Sequence, residues 1–207
     1  MTVYKIEFHK NVPVVEKDGA KWMFDTGCPF SYPNPMVSLN GKITEFLGIP
    51  DLRMMGMDKM GKYLLVDYSG HQIIVAEEKP EFTGKSLNFD FGFSGCPYIN
   101  LSVDGHGCDC YLDTGANVSY LRNLDLRNYE YSEPVQECDV MGNLWKTETA
   151  FVPAKIADMD FSVRFGEADK NMAFQFGCDK DGVIGFDFFR KFKVLFDFSN
   201  KKIFVVD

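Results

Sequence analysis

Apolar and polar residues alternate with a period of two along much of the chain. Tyr4, Ile6 and Phe8 sit between polar residues, as do Leu87, Phe89, Phe91 and Phe93, and the pattern continues less strictly over 98–101. A period of two puts every second side chain on one face of a strand. Turn signals separate these runs: Asp18-Gly19, Ser69-Gly70, Asp104-Gly105 and Ser199-Asn200 each predict a hairpin. Helical stretches are brief, over 43–47 and for a few residues after Gly56 and after Gly185. The expected fold class is therefore all-β, mostly strands with short helices.

Laid against itself, the chain repeats. Asp25-Thr26-Gly27-Cys28-Pro29-Phe30-Ser31-Tyr32 returns as Asp113-Thr114-Gly115-Ala116-Asn117-Val118-Ser119-Tyr120. Each copy follows an apolar strand, Trp22-Met23-Phe24 or Cys110-Tyr111-Leu112, and each strand follows an Asp-Gly turn. A second block keeps the same order: Met54-Met55-Gly56-Met57-Asp58 in the first half, Val183-Ile184-Gly185-Phe186-Asp187 in the second. Asp67-Tyr68-Ser69 and Asp197-Phe198-Ser199 then match. Two blocks in one order argue against an accidental match and for two duplicated units, 1–92 and 93–207. The interval from Asp25 to Gly56 is 31 residues, whereas that from Asp113 to Gly185 is 72. An insertion of that size in one copy points to a function.

Composition narrows the partners. A formal charge of −8 over 207 residues argues against nucleic acid or an anionic membrane surface. With 45% hydrophobic and 25% charged residues the chain is globular rather than disordered. No apolar run reaches the length of a membrane span. The first residues lack a basic region followed by an apolar stretch, so a cytoplasmic protein with six free thiols is expected. His106, Cys108 and Cys110 alternate along one strand, but no matching Cys/His pair completes a tetrahedral site. Neither a metal nor another cofactor is expected.

An apolar strand running into Asp-Thr-Gly, followed later by two apolar residues and a Gly, resembles the aspartic proteases of the pepsin and retropepsin superfamily. The resemblance spans nearly the whole chain, and 97–207 looks like a complete retropepsin-type unit. It implies a bilobal acid-protease-like fold, with Asp25 and Asp113 as the catalytic pair of an endopeptidase. It also implies that Thr26 and Thr114 cross-link the two loops, while Gly27 and Gly115 let backbone amides approach the acids. Ser31, Ser119, Tyr32 and Tyr120 would stabilise the loops. Cys28 and Ala116 stand where pepsin-like enzymes usually carry a hydroxyl residue, which brings the chain closer to retropepsins and predicts activity nearer neutral pH than a gastric enzyme shows.

The physics behind such a pair is simple. Two carboxyls ~3 Å apart repel by about 5 kcal/mol at an effective dielectric of 20, so they share one proton. One then takes a proton from water while the other donates to the substrate carbonyl.

The inserted segment reads as a strand, a Gly-Asn turn and a strand over 138–147. By the same resemblance it is a flap, with Met141, Gly142, Asn143 and Trp145 at its tip over the substrate. The first half has no room for a second one. The expected partner is a peptide or protein substrate, and the expected state is a monomer. Two alternatives share the fold: a non-catalytic peptide-binding pseudoprotease, and a retropepsin-like subunit active only as a dimer. Asp58 and Asp187 are expected to begin short helices, and Met54, Met55, Met57 and Met60 to pack in the core.

Overall fold

The computed structural model describes residues 1–33, 41–139, 142–168 and 179–207. Strands β1 (Thr2–His9), β2 (Val12–Lys17) and β3 (Ala20–Phe24) form an antiparallel meander. Helix α1 (Gly41–Leu47) leads to β4 (Arg53–Met55), which pairs parallel with β3. A 3-10 turn, Met57–Lys59, precedes the hairpin β5 (Tyr63–Asp67) and β6 (Gln72–Ala76).

The second half follows with β7 (Lys85–Asn88), β8 (Asp90–Phe91), β9 (Pro97–Val103), β10 (His106–Leu112) and β11 (Tyr120–Leu121). A long hairpin, β12 (Tyr131–Cys138) and β13 (Leu144–Ile156), is extended by β14 (Met159–Gly166). Strand β15 (Gly182–Ile184) pairs parallel with β10, and α2 (Phe186–Lys191) leads to the hairpin β16 (Lys193–Asp197) and β17 (Lys202–Val206). Among the described residues no helix is long and apolar enough to cross a membrane.

The molecule is mostly β, in two sheets. The larger runs β4-β3-β2-β1-β6-β5-β16-β17-β7, and its last six strands come three from each half. The halves meet at β5 and β16, antiparallel, with Leu65 opposite Leu195. Leu64, Val66 and Ile73 from one side and Val194, Phe196 and Ile203 from the other are fully buried in one cluster. A single core therefore spans the seam. Helix α2 has six residues, too few to persist alone, and it is fixed by the buried rings of Phe188 and Phe189.

The two halves follow one path. In the first, β1 pairs with β6 over residues 2–5 and with β2 over residues 6–9. In the second, the same course is divided: β7 pairs with β17, and β8 with β9. Strands β7 and β8, which a boundary at residue 92 assigns to the first half, thus hydrogen-bond with strands of the second. Phe89 sits at the division, and its N–H donates to the Lys201 carbonyl as that of Ile6 does to His71. The alternation over 87–93 is consequently not one strand. The chain changes sheet at Phe89, and Phe93, in phase with the pattern, is 96% exposed.

The Asp-Gly hairpin turns form as expected, with Asp18 and Gly19 at φ 53° and 71° and Asp104 and Gly105 at 49° and 79°. The positive pair matches the right-handed twist of the flanking strands. Lys10 and Asn11, at 49° and 67°, make the same turn between β1 and β2 without a glycine. The helical stretches fall where the pattern places them. Met54, Met55 and Met60 are fully buried, and Met57 is half-buried.

Candidate active site

Strands β3 and β10 each run directly into an aspartate. The Asp25 N–H donates to the Met55 carbonyl on β4 (3.0 Å), and that of Asp113 to Ile184 on β15 (2.9 Å). After each aspartate the chain turns back past the glycine that follows the parallel strand. The Gly56 N–H donates to Ser31 Oγ and the Gly185 N–H to Ser119 Oγ, both at 3.0 Å. A Cβ on Gly56 would collide with the Phe30 backbone, and one on Gly185 with the Ala116 carbonyl. The apolar-apolar-Gly motif is therefore steric: the loop passes where a side chain would stand. Ser31 also donates to Asp58 (2.6 Å), and Asp187 accepts from the Arg164 N–H (3.0 Å). Both acids lie within the first turns of their short helices, but Gly56 and Gly185 hold the N-cap positions, so the acids tie neighbouring segments together rather than begin the helices.

The two loops are tied to each other reciprocally. Thr26 Oγ1 donates to the Leu112 carbonyl (2.7 Å) and accepts from the Thr114 N–H (2.9 Å). Thr114 Oγ1 donates to the Phe24 carbonyl (3.0 Å) and accepts from the Thr26 N–H (3.0 Å). Both threonines are fully buried. Four hydrogen bonds thus clamp loops 88 positions apart, where no water competes for their partners.

This clamp brings the aspartates together. Each carboxyl lies against the glycine of the opposite loop, and each acts on the ionisation of the other. Each receives an amide of its own loop, Gly27 N–H to Asp25 Oδ1 and Gly115 N–H to Asp113 Oδ1, both at 2.8 Å. A Cβ on Gly27 would overlap the Asp113 carboxyl, and one on Gly115 the Asp25 carboxyl. Only glycine lets each loop close on the opposite acid.

Asp25 is 5% exposed and Asp113 half-buried. Burial pushes Asp25 well above the ordinary carboxylate range, and the charge of Asp113 adds to it. Burial also raises Asp113, against the amides that favour its ionised form. The pair therefore holds a proton that separate surface carboxyls would release. Beside it, burial and then Asp25 push the Cys28 thiol up to about 12, so it stays protonated and donates to the Phe30 carbonyl.

One buried hydroxyl breaks the symmetry beneath the pair. Tyr68 Oη donates to the Thr114 carbonyl (3.1 Å), where the second half has Phe198 in the matching place. Its ring packs on Phe8, Phe186 and Phe189. Tyr68→Phe keeps the ring and removes the donor, so a loss of about 1–2 kcal/mol is expected. An unchanged urea midpoint would show that the Thr114 carbonyl needs no such partner.

The hairpin β12–β13 reaches across to the first half. Cys138 packs against a cluster that contains Ile43, Leu47, Val12 and Cys28. Its turn is set by Asp139, whose carboxylate accepts from the Asn143 N–H (2.8 Å) and side chain (2.7 Å). Gly142, at φ 80°, supplies the left-handed position. Gly142 and Asn143 thus lie in the reversal, and Met141 lies outside the described residues. Trp145 does not belong to the tip: it is on β13, opposite Glu137, and packs on Tyr120 and Val118. Strand β13 resumes at Leu144, so the reversal ends at Asn143, two residues before Trp145, where Asp139 caps it.

Three participants escape the sequence pattern. Glu137 is 7% exposed and accepts from Asn117 Nδ2 (2.9 Å), and Asn117 Oδ1 accepts from Asn11 Nδ2 (2.9 Å). The one available signal is that Asn117 replaces Pro29 of the other copy. Two surface concavities of about 380 and 570 Å³ lie elsewhere, around His106, Arg122 and Tyr129 and around His9, Gly48 and Arg53.

No protein-family model matches the chain, and no curated protein matches it. Among solved structures it is similar to the crystal structure of a retropepsin-like aspartic protease from Rickettsia conorii. The two share 15% identity at a TM-score of 0.41, over 58% of this chain and 89% of that one.

Proposed function

We propose that the chain is an aspartic endopeptidase that hydrolyses peptide bonds with water activated between Asp25 and Asp113. One observation carries this reading: the reciprocal threonine clamp that brings the loops of buried Asp25 and half-buried Asp113 together, with a glycine of each loop against the opposite acid. Such a pair is costly to bury and gives the fold nothing that an apolar pair would not.

In the singly protonated pair, the carboxylate removes a proton from the attacking water. The neutral acid donates to the peptide carbonyl, and the hydrated intermediate then breaks its C–N bond as the amine takes up a proton. The proton shared by the pair replaces a charged electrophile. An extended peptide would lie between the halves beneath the hairpin β12–β13, whose movement admits it. Both acids come from one chain, so the active unit is a monomer.

The test is digestion of a peptide library from pH 3 to 8, with and without a statine peptide. Cleavage blocked by the statine is expected. Because both acids are raised, activity should extend from acid pH toward neutrality and fall as the pair loses its last proton. Binding without cleavage at every pH would instead identify a pseudoprotease. Mixing Asp25→Asn with Asp113→Asn should restore nothing; recovery of activity would establish pairing between chains.

A further inference from the structure

We propose that Glu137 is a positioning residue of this site, one that anchors the hairpin β12–β13 to the Asp113 loop through Asn117 and makes closure of the hairpin depend on proton uptake. The proposal rests on the hydrolytic reading above. It starts from the chain Asn11–Asn117–Glu137, two hydrogen bonds of 2.9 Å that join three separate elements. Asn11 is in the β1–β2 turn of the first half, Asn117 follows the Asp113 loop, and Glu137 is two residues before the acid that shapes the hairpin turn. The contact ties the hairpin to both walls of the cleft.

Glu137 has no role in the peptide chemistry, yet it is buried nearly as deeply as Asp25 and more deeply than Asp113. Among the described residues, the groups that act on it supply no compensating positive charge. Asp113, on the loop, is of the same sign and raises it, while Asn117 offers a neutral donor. Tyr120, on β11, feels the charge of Glu137 and is itself raised by burial. Lys42 and Lys10 act on the thiol of the next residue, Cys138, against Asp139 and Glu137. A buried carboxylate so placed is strongly unfavourable, whereas a neutral carboxyl accepts from Asn117 at little cost. Burial accordingly pushes Glu137 from the ordinary 4.5 up to about 8.

The sign follows from linkage. With the hairpin open, Glu137 is hydrated and ionises near 4.5; with it closed, near 8. Closure is then strongest below about pH 4.5, weakens about tenfold for each pH unit between the two values, and levels off above the higher one. The hairpin and the aspartate pair thus favour the same side of the pH scale.

Amide hydrogen exchange of the full chain between pH 5 and 8.5 tests this without turnover. After correction for base catalysis, the opening constant of the β12 and β13 amides should rise about tenfold per pH unit in the wild type. In Glu137→Gln, which keeps an acceptor for Asn117 but no titratable group, it should stay flat. Glu137→Met, neutral at every pH, gives the same flat slope if the Gln variant does not fold. A flat wild type, or a neutral variant as steep as the wild type, overturns the proposal. A chain that shows the slope but cuts no peptide keeps the anchor and refutes the hydrolytic reading; a chain that cuts peptides without the slope does the reverse.

Discussion

Asp25→Asn and Asp113→Asn are each expected to lower peptide turnover by about 10²–10⁴-fold while making the folded chain more resistant to urea at pH 7. The two effects have one cause. Asn cannot give or take the shared proton, so activation of water and polarisation of the carbonyl fail together. Asn is also neutral, so nothing charged remains to be buried where Asp25 was.

Both acids are raised in the folded state, so the pair contributes its full stability below the ordinary 3.8 and loses it as pH rises through the raised values. The stability gained by either Asn variant should therefore be small at pH 3.5 and grow toward neutrality. Turnover above a tenth of the wild-type rate, or a gain in urea midpoint that ignores pH, would contradict this assignment. Circular dichroism of each variant separates loss of chemistry from loss of fold.

Thr26→Val and Thr114→Val are expected to be far more damaging to the fold. Valine has nearly the shape of threonine, so packing is kept and only the hydroxyl is lost. Thr26→Val leaves the Leu112 carbonyl and the Thr114 N–H without partners; Thr114→Val leaves the Phe24 carbonyl and the Thr26 N–H. At about 1–3 kcal/mol for each orphaned buried group, either substitution removes about 2–6 kcal/mol. That is a large share of the ~5–15 kcal/mol that holds a typical domain. Thr→Ser at the same positions keeps the hydroxyl and should recover most of the loss. Equal urea midpoints for Val and Ser variants would mean that the clamp is incidental.

The parts of this site that could be read from the sequence are those that occur twice. Asp-Thr-Gly is a weak tripeptide, but its return with a downstream apolar-apolar-Gly segment exposes the loops, the parallel strands beside them and the threonines between them. Features present once left little trace. Asn117 and Glu137 are 20 positions apart on different elements, and no periodicity links them. Asn11 takes a left-handed turn that usually advertises itself with glycine. Tyr68 looks like one more aromatic of the core until its hydroxyl is found under Thr114. Trp145, taken from sequence for a tip residue, shows how a side chain elsewhere decides a turn: the carboxylate of Asp139 closes the reversal before the tryptophan is reached. The alternation through Phe93 misleads for another reason. A strand that crosses from one sheet to another keeps its rhythm of apolar residues while losing its continuity.

The rungs that join β5 to β16 bind the two halves into one continuous sheet. Swinging one half away from the other would tear Leu65 from Leu195 and open an apolar interior to water, so on the proposed reading a peptide would enter by movement of the hairpin β12–β13 alone. A peptide so bound would meet unlike surfaces above its two ends, and the side that carries the hairpin would set its orientation.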